Sequence, residues 1–182
     1  FEDGMIDPAS TGIYATDVVQ IDKYTLNGNG LEIWEPRFTY HGFQFVEMTG
    51  FTGIPTLENI EGIVVNSAVE TTGSFECSDE MMNTIHRTIC WTTLANFHGI
   101  ITDCPHRERC QWLGDILAEM SAYNFNSPLL LTKFVEDIET GRRGGVPNHI
   151  APGRRTGGVA SSDWGSTFIQ IPYYIYLYFG DI

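Results

Sequence analysis

The residues best suited to chemistry lie in one short segment, residues 103–115, which reads DCPHRERCQWLGD. It contains three carboxylates, two arginines and a tryptophan, and the flanking segments have the apolar periodicity of helices. Hydrolysis of a glycosidic bond commonly uses two carboxyl groups, one of which holds a proton as general acid. Crowding of like charges favours a protonated carboxyl. Glu108, with Asp103 and Asp115 near it in sequence, is therefore a candidate acid.

The same segment carries side-chain types that bind sugars. Carboxylates and guanidinium groups bind vicinal hydroxyls in a bidentate way, and an indole stacks on the C–H face of a sugar ring. Asp103, Arg107 and Trp112 supply these groups. The alternative is a buried ion-pair network in which Arg107 and Arg109 neutralise the acids, and the residue types alone leave both interpretations open.

A helix is predicted from about Glu108 to about residue 124. On such a helix Glu108, Trp112 and Asp115 fall at i, i+4 and i+7 and share one face. Gly114 would cost this helix up to about 1 kcal/mol relative to alanine, which predicts a close approach by a ligand or a neighbouring helix.

Another helix is predicted before this segment, over about residues 79–97. Ser78 and Asp79 are N-cap candidates, and Gly99 ends the helix. Its apolar residues recur at helical spacing, and they are Met81, Met82, Ile85, Ile89, Leu94 and Phe97.

Two more helices are predicted after the segment. Pro128 starts one that runs to about residue 140, since proline is favoured at the first helical position. The other ends at about Gly180 and contains Pro172, which either kinks it or marks its start. The long glycine-rich loop 141–163 separates them, and loops of this length are usually functional or disordered.

Residues 1 to about 70 are predicted to form β-structure. Apolar stretches that alternate or are rich in β-branched residues occur at 31–35, 43–48 and 63–69, with turn signals between them. Antiparallel strands at the edge of a sandwich are the simplest account. The predicted fold class is therefore mixed, with β-structure first and helices after it.

The charge of the chain argues against two classes of partner. Ten basic and 23 acidic residues among 182 give a net charge of −13, which opposes binding to phosphate backbones or anionic lipid. The longest apolar run, 171–179, is too short to cross a bilayer. No nucleic acid and no membrane are expected as partners.

The cysteines and histidines do not form a recognisable metal site. The four cysteines include no CxxC pair, and Cys104, His106 and Cys110 match no common zinc spacing. Buried free thiols and no metal or other cofactor are predicted. His149 and the other scattered histidines are interpreted as packed or surface residues.

With these residues named, the chain resembles the α-L-rhamnosidases of glycoside hydrolase family 78. Residues 36–47 are similar to the end of the family's β-sandwich, and residues 73–79 to the entry of its catalytic (α/α)6 barrel. The Asp-Cys-Pro-x-Arg-Glu-Arg-x-x-Trp-x-Gly-Asp pattern at 103–115 resembles its active-site signature. A further block around Trp164 also resembles the family.

The resemblance implies a domain organisation. Residues 1–72 would be the C-terminal part of a β-sandwich, and residues 73–182 the first helices of an (α/α)6 barrel, which is incomplete. Because the chain starts at Phe1 rather than at methionine and stops inside an aromatic run, we expect a fragment. Its helices would lack partners, so we expect the fragment alone to be poorly soluble or inactive.

The resemblance also implies an inverting glycosidase that releases terminal α-L-rhamnose from a glycoside or polysaccharide. Glu108 matches the family's general acid, whereas the family's general base is a glutamate far downstream, beyond this chain. The positions that match rhamnose-binding residues of the family are Asp103, Arg107, Trp112, Asp115 and Trp164.

Two other functional classes stay open. In one, the chain belongs to another exo-glycosidase or a polysaccharide lyase on an α/α barrel, and Asp103 and Arg107 bind a different sugar. In the other, it is a non-catalytic carbohydrate-binding relic that kept the pocket and lost the base. An apolar wall for the 6-methyl group of rhamnose would favour rhamnosidase over the first alternative.

Overall fold

The computed structural model describes residues 4–7, 20–115, 123–153 and 158–180. The chain divides into two compact units. The first consists of Phe1–Val65 and Pro105–Glu108, and the second of Asn66–Cys104 and Arg109–Ile182. The division therefore passes twice through the 103–115 segment.

The strands predicted at 31–35, 43–48 and 63–69 are not formed in this structure. A strand is stabilised by a hydrogen-bonded ladder to a neighbour and by burial of one face. Leu31 and Ile33, which share a face in the predicted alternation, are both 93% exposed. Neither condition is met in the described part of this stretch, so the strand predictions are wrong here.

A polar turn orders part of the first unit instead. The Glu32 carboxylate accepts hydrogen bonds from the backbone N–H groups of Asn27 and Gly28 and from the Tyr24 hydroxyl. These bonds, led by that from Asn27, lower the pKa of Glu32. The Tyr24 ring stacks on Trp34 with centroids 5.3 Å apart. The turn predicted at residues 27–30 is thereby stabilised by the carboxylate of Glu32, which is close to it in sequence.

The second unit contains the regular structure of the described residues, apart from a 3-10 turn at Leu57–Asn59. Strand β1 (Glu70–Thr71) pairs antiparallel with β2 (Phe125–Asn126). The helices whose full range lies within the described residues are α1 (Glu80–Leu94), α2 (Pro128–Gly141), α3 (Ser162–Gly165) and α4 (Thr167–Phe179).

Helix α1 begins where its cap signal predicted. The Asp79 side chain accepts a 2.9 Å hydrogen bond from the Met81 backbone N–H, which satisfies one of the unpaired donors of the first turn. The helix ends at Leu94, and Gly99 follows with a φ of +78°. Several of its periodic apolar residues are exposed, namely Met81, Met82, Ile85 and Ile89. Exposed apolar faces were expected of helices that lack partners.

The two later helices agree with their predicted limits. Helix α2 starts at Pro128 and runs one residue past the predicted end. Helix α4 ends before Gly180, which adopts the left-handed conformation with a φ of +69°. Pro172 lies inside α4, which starts at Thr167, so the alternative that this proline marks the start of the helix is wrong.

The helix predicted to start at Glu108 is not formed through residue 115. Arg109 has a φ of +53°, in the left-handed region that non-glycine residues rarely adopt and a right-handed helix excludes. Glu108, Trp112 and Asp115 therefore do not share a helical face. Residues 116–122 of the predicted helix lie outside the described residues, and residues 123–124 are helical.

The core of the second unit lies where α2 packs on α4. The 103–115 segment contributes Leu113, which is 1% exposed, and the 141–163 loop contributes Ala151, which is 2% exposed. Ala151 of the loop is therefore part of the core. The other buried members are Phe97, Ile101, Phe125, Leu130, Leu131, Phe134, Ile138, Ile171 and Ile175.

Thr167 at the start of α4 offers a test of this packing. Its hydroxyl donates a buried 2.7 Å hydrogen bond to the carbonyl oxygen of Leu113. Thr167→Val keeps the shape and leaves that carbonyl unpaired, so we expect the free energy of unfolding to fall by about 1–3 kcal/mol. Thermal or denaturant unfolding of the complete gene product measures this. Thr167→Ser, which keeps the hydroxyl, is the control, and an equal loss in both variants would contradict the role of the hydrogen bond.

Candidate active site

The middle of the 103–115 segment is hydrogen bonded like a strand. The carbonyl of Cys110 accepts from the backbone N–H of Asp103 at 2.8 Å, and that of Gln111 accepts from Ala151 at 3.1 Å. The N–H of Leu113 donates to the carbonyl of His149 at 3.0 Å. The Ala151–Gln111 and Leu113–His149 bonds lie on either side of an antiparallel bridge between residues 112 and 150. Because these backbone groups bond to distant segments, they are not available for helical i to i−4 bonds.

The buried side chain of Gln111, 1% exposed, holds this arrangement together. Its Oε1 accepts from the backbone N–H of Ile101 at 2.8 Å. Its Nε2 donates to the carbonyl of Ala151 at 2.8 Å and to Oδ2 of Asp137 at 3.2 Å. One carboxamide thus joins three separate segments, one of them helix α2. Sequence analysis did not identify Gln111, since nothing in the local pattern distinguishes it.

The carboxylate of Asp103, a predicted rhamnose-binding residue, is held by its own segment. Oδ1 accepts from the backbone N–H of Cys110 at 2.8 Å, and Oδ2 accepts from the Cys104 thiol at 3.0 Å. An ionised carboxylate has about four lone-pair sites, so these two bonds fix its orientation and leave acceptor capacity. The side chain is half-buried.

Arg107 and Glu108 lie in the first unit, in the turn Pro105–Glu108. Nη2 of Arg107 is 3.6 Å from Oε1 of Glu108, which is longer than a hydrogen bond. The Glu108 side chain is 26% exposed and that of Arg107 is 42% exposed, so neither is fully buried. Gly42 packs closely here, because a Cβ on it would lie 3.0 Å from Cγ of Pro105.

Three aromatic side chains of the second unit meet beside the strand-like segment, and we refer to Trp112, His149 and Trp164 as the aromatic triad. The two indoles are 5.3 Å apart between centroids and cross at 89°. The imidazole lies 6.2 Å from Trp112 and 6.0 Å from Trp164. The structure thus brings together two of the predicted sugar-binding residues, and it adds a histidine that had been interpreted as merely packed or exposed.

Gly114 makes room for this triad. A Cβ built on Gly114 would lie 2.2 Å from Cδ2 and Cε2 of Trp164, a distance that non-bonded atoms do not reach. The predicted close approach at this glycine is therefore confirmed, and the neighbour is an indole on the short helix α3. Glycine is needed here because of the ring that lies against it.

An acidic residue lies close in sequence to each of the two indoles of the triad. Asp115, another predicted sugar-binding residue, follows Gly114 and is half-buried. Asp163 precedes Trp164, and hydrogen bonds from the Ser161 side chain and then from the Trp164 backbone lower its pKa. Asp163 is therefore anionic at neutral pH.

The described ranges, 4–7, 20–115, 123–153 and 158–180, contain neither a cluster of metal ligands nor a helix that could span a membrane. No group of three or more histidine, cysteine, aspartate or glutamate side chains is placed to hold a metal ion among these residues. In the same ranges no helix has the length and apolarity that crossing a membrane requires. All four cysteines are free, as predicted, but only Cys110 is buried and the others are half-buried.

Two family models match the chain. Residues 70–182 match the bacterial α-L-rhamnosidase six-hairpin glycosidase domain, and residues 4–66 match the bacterial α-L-rhamnosidase concanavalin-like domain. The order of the two domains confirms the predicted fold class, a β-sandwich part followed by helices of an (α/α)6 barrel.

Relatives and solved structures agree with these matches. An α-L-rhamnosidase of Formosa agariphila is 42% identical over 97% of this chain and 20% of its own length. The structure of an α-L-rhamnosidase from Dictyoglumus thermophilum is 42% identical with a TM-score of 0.77, over 81% of this chain and 17% of that one. A Streptomyces avermitilis α-L-rhamnosidase, solved in complex with L-rhamnose, is 38% identical with a TM-score of 0.81, over 87% and 16%. The chain thus spans about a fifth or less of these proteins.

A methyl group at Gly114 should displace Trp164. We expect Gly114→Ala to alter the near-ultraviolet circular dichroism of the complete gene product and to lower its free energy of unfolding by about 1–3 kcal/mol, the usual cost of overpacking. Gly165→Ala is the matched control, because its Cβ would lie at an ordinary 3.7 Å from Cβ of Ala160. Unchanged spectra and unchanged stability in Gly114→Ala would contradict the close packing.

Removing the Gln111 carboxamide should destabilise the strand-like segment. Gln111→Leu leaves the Ile101 N–H and the Ala151 carbonyl unpaired inside the protein, so we expect a loss of about 3 kcal/mol in the free energy of unfolding. Denaturant unfolding of the complete gene product, followed for the domain that contains the second unit, measures this loss of stability. Gln170→Leu, at an exposed position of α4, should change stability by less than about 0.5 kcal/mol. Similar losses in both variants would contradict the role of Gln111.

Proposed function

Because the chain belongs to the bacterial α-L-rhamnosidase family, we propose that it forms part of a glycoside hydrolase that releases terminal α-L-rhamnose from rhamnosides. The observation that carries the proposal is the meeting of Trp112 and Trp164 beside the 103–115 motif, at 5.3 Å between ring centroids. Two crossed indoles offer apolar surfaces in two directions. One can stack on the C–H face of a sugar and the other can contact a methyl group such as C6 of rhamnose.

The polar half of the proposed sugar site consists of Asp103, Arg107 and Asp115. Asp103 is the best supported of these, because two hydrogen bonds from its own segment fix its carboxylate before any sugar arrives. A group fixed in this way loses less side-chain entropy when it binds a hydroxyl. The family resemblance assigns Arg107 and Asp115 to sugar binding as well, and their chemistry suits it, since a guanidinium donates and a carboxylate accepts hydrogen bonds with hydroxyls.

Glu108 is proposed as the general acid that protonates the leaving-group oxygen. Its side chain is 26% exposed, so it is accessible from solvent, and Nη2 of Arg107 lies 3.6 Å from its Oε1. A group at this position can give its proton to an oxygen that lies within hydrogen-bond reach.

The proposed reaction inverts the anomeric centre. As the acid protonates the leaving oxygen, a base removes a proton from a water that attacks the opposite face of the ring, and the two carboxyl groups are typically about 6.5–9.5 Å apart to admit that water. The base is assigned to no residue of this chain. The division into domains at 1–72 and 73–182, and the absence of nucleic-acid and membrane partners, stay predictions.

The central test is Glu108→Gln in the complete gene product. We expect kcat on a natural rhamnoside to fall by about 10²-fold or more, since the amide cannot give a proton to the leaving group. The loss should be smaller on an aryl α-L-rhamnoside, whose phenol leaves with less assistance. Glu136→Gln, an exposed glutamate on α2, is the matched control and should keep full activity.

The same assay distinguishes the alternatives when a panel of other aryl glycosides is included. Hydrolysis of a different glycoside, with none of rhamnosides, would overturn the substrate and leave the fold. Binding of L-rhamnose without hydrolysis of any substrate would favour a carbohydrate-binding relic. Equal activity of Glu108→Gln and wild type on both rhamnosides would overturn the assignment of the acid.

A further inference from the structure

We propose that His149 is a positioning residue that holds the indoles of Trp112 and Trp164 in their crossed arrangement. The inference rests on the proposed function only in its kinetic consequence, because the geometric claim concerns the aromatic triad itself. His149 lies in the 141–163 loop, outside every motif that the sequence analysis identified. Its ring contacts both indoles, at 6.2 Å from Trp112 and 6.0 Å from Trp164 between centroids.

The backbone of His149 is fixed on both sides. Its carbonyl accepts the 3.0 Å hydrogen bond from Leu113, the residue that follows Trp112. Its neighbours Asn148 and Ile150 are each 5% exposed, and Ile150 forms the bridge to Trp112. The Cα of His149 is therefore carried by the same hydrogen-bonded segments as that of Trp112. Movement of the His149 backbone relative to Trp112 would require these segments to separate.

The ring geometry shows how His149 acts on the second indole. The imidazole crosses Trp164 at 81° and Trp112 at 57°, and the two indoles cross each other at 89°. These are tilted and edge-to-face contacts, which aromatic rings prefer over face-to-face stacks. The backbone of Gly114 limits the approach of Trp164 to the motif, since ring atoms already lie 2.2 Å from where a Cβ would be. The imidazole of His149 also contacts Trp164, so that two neighbours, Gly114 and His149, restrict the position of this indole.

The two ring contacts of His149 also connect two parts of the chain, of which only one belongs to the 103–115 motif. Trp112 belongs to the motif segment and Trp164 to helix α3, and His149 lies between them in sequence and touches both. The proposed role requires a flat ring of about the size of imidazole at position 149. A phenylalanine ring would satisfy it, whereas a side chain with a polar end and no ring would not.

The experiment compares His149→Ala, His149→Gln and His149→Phe in the complete gene product. We expect His149→Ala and His149→Gln to raise both the Kd for L-rhamnose and the KM for an aryl α-L-rhamnoside about tenfold, with a smaller change in kcat, because the aromatic contacts orient a binding surface. His149→Phe should restore both constants to within about threefold of wild type. The matched control is His86→Ala, which removes a histidine that packs on Phe75 at 5.5 Å and lies outside the triad.

Near-ultraviolet circular dichroism provides a readout that does not depend on activity. His149→Ala should change the tryptophan bands, His149→Phe should largely retain them, and His86→Ala should leave them as in wild type. In a Trp112→Phe/Trp164→Phe background, the change caused by His149→Ala should disappear. A merely destabilising substitution would lower the unfolding temperature without this dependence on the two indoles.

Two results would overturn the proposal. One is a wild-type tryptophan spectrum and unchanged sugar binding in His149→Ala. The other is a loss in His149→Phe as large as in His149→Ala with retention in His149→Gln, which would show that the polar atoms of the imidazole matter and its ring does not. If wild type neither binds L-rhamnose nor cleaves a rhamnoside, the proposed function fails, and the spectra still decide whether His149 positions the indoles.

Discussion

A buried backbone segment must find hydrogen-bond partners, and this constraint determines the form of residues 110–113. Their N–H and carbonyl groups are bonded to Asp103 on one side and to residues 149–151 on the other. The Gln111 side chain completes the arrangement, because its carboxamide bonds to Ile101, Ala151 and Asp137 at a depth where water does not reach. An unpaired buried amide would cost about 1–3 kcal/mol for each group, so the three segments are stable together rather than separately.

The position of the candidate sugar site follows from this extended segment. In a strand, successive side chains point to opposite sides. Gln111 is directed into the core, and Trp112 is directed to the other side, where it meets His149 and Trp164. Gly114 then admits the Trp164 ring at close range. The residue that stabilises the segment and the residue that presents an aromatic surface are thus adjacent in sequence, and each depends on the same backbone hydrogen bonds.

Local signals predicted those elements whose cause is local. Asp79 caps α1 through a bond two residues away, and Pro128 starts α2 because of its own ring geometry. The helix predicted from Glu108 failed because the partners of that segment lie some 40 residues on, at Ala151, where no periodicity in the motif points to them. Trp164 entered the predicted site only through the family resemblance. No local sequence pattern predicted the contacts of His149 or Gln111. Both sets of contacts depend on the packing of residues 149–151 against the 103–115 segment.

The most direct test of this account is a crystal structure of the complete gene product with L-rhamnose. The account predicts that the sugar ring contacts the indoles of both Trp112 and Trp164, and that a hydroxyl of the sugar lies within hydrogen-bond distance of Asp103. It also predicts that residues 110–113 stay extended, with Gln111 bonded as described. A bound rhamnose that touches neither indole, or a helix over residues 108–115, would contradict it.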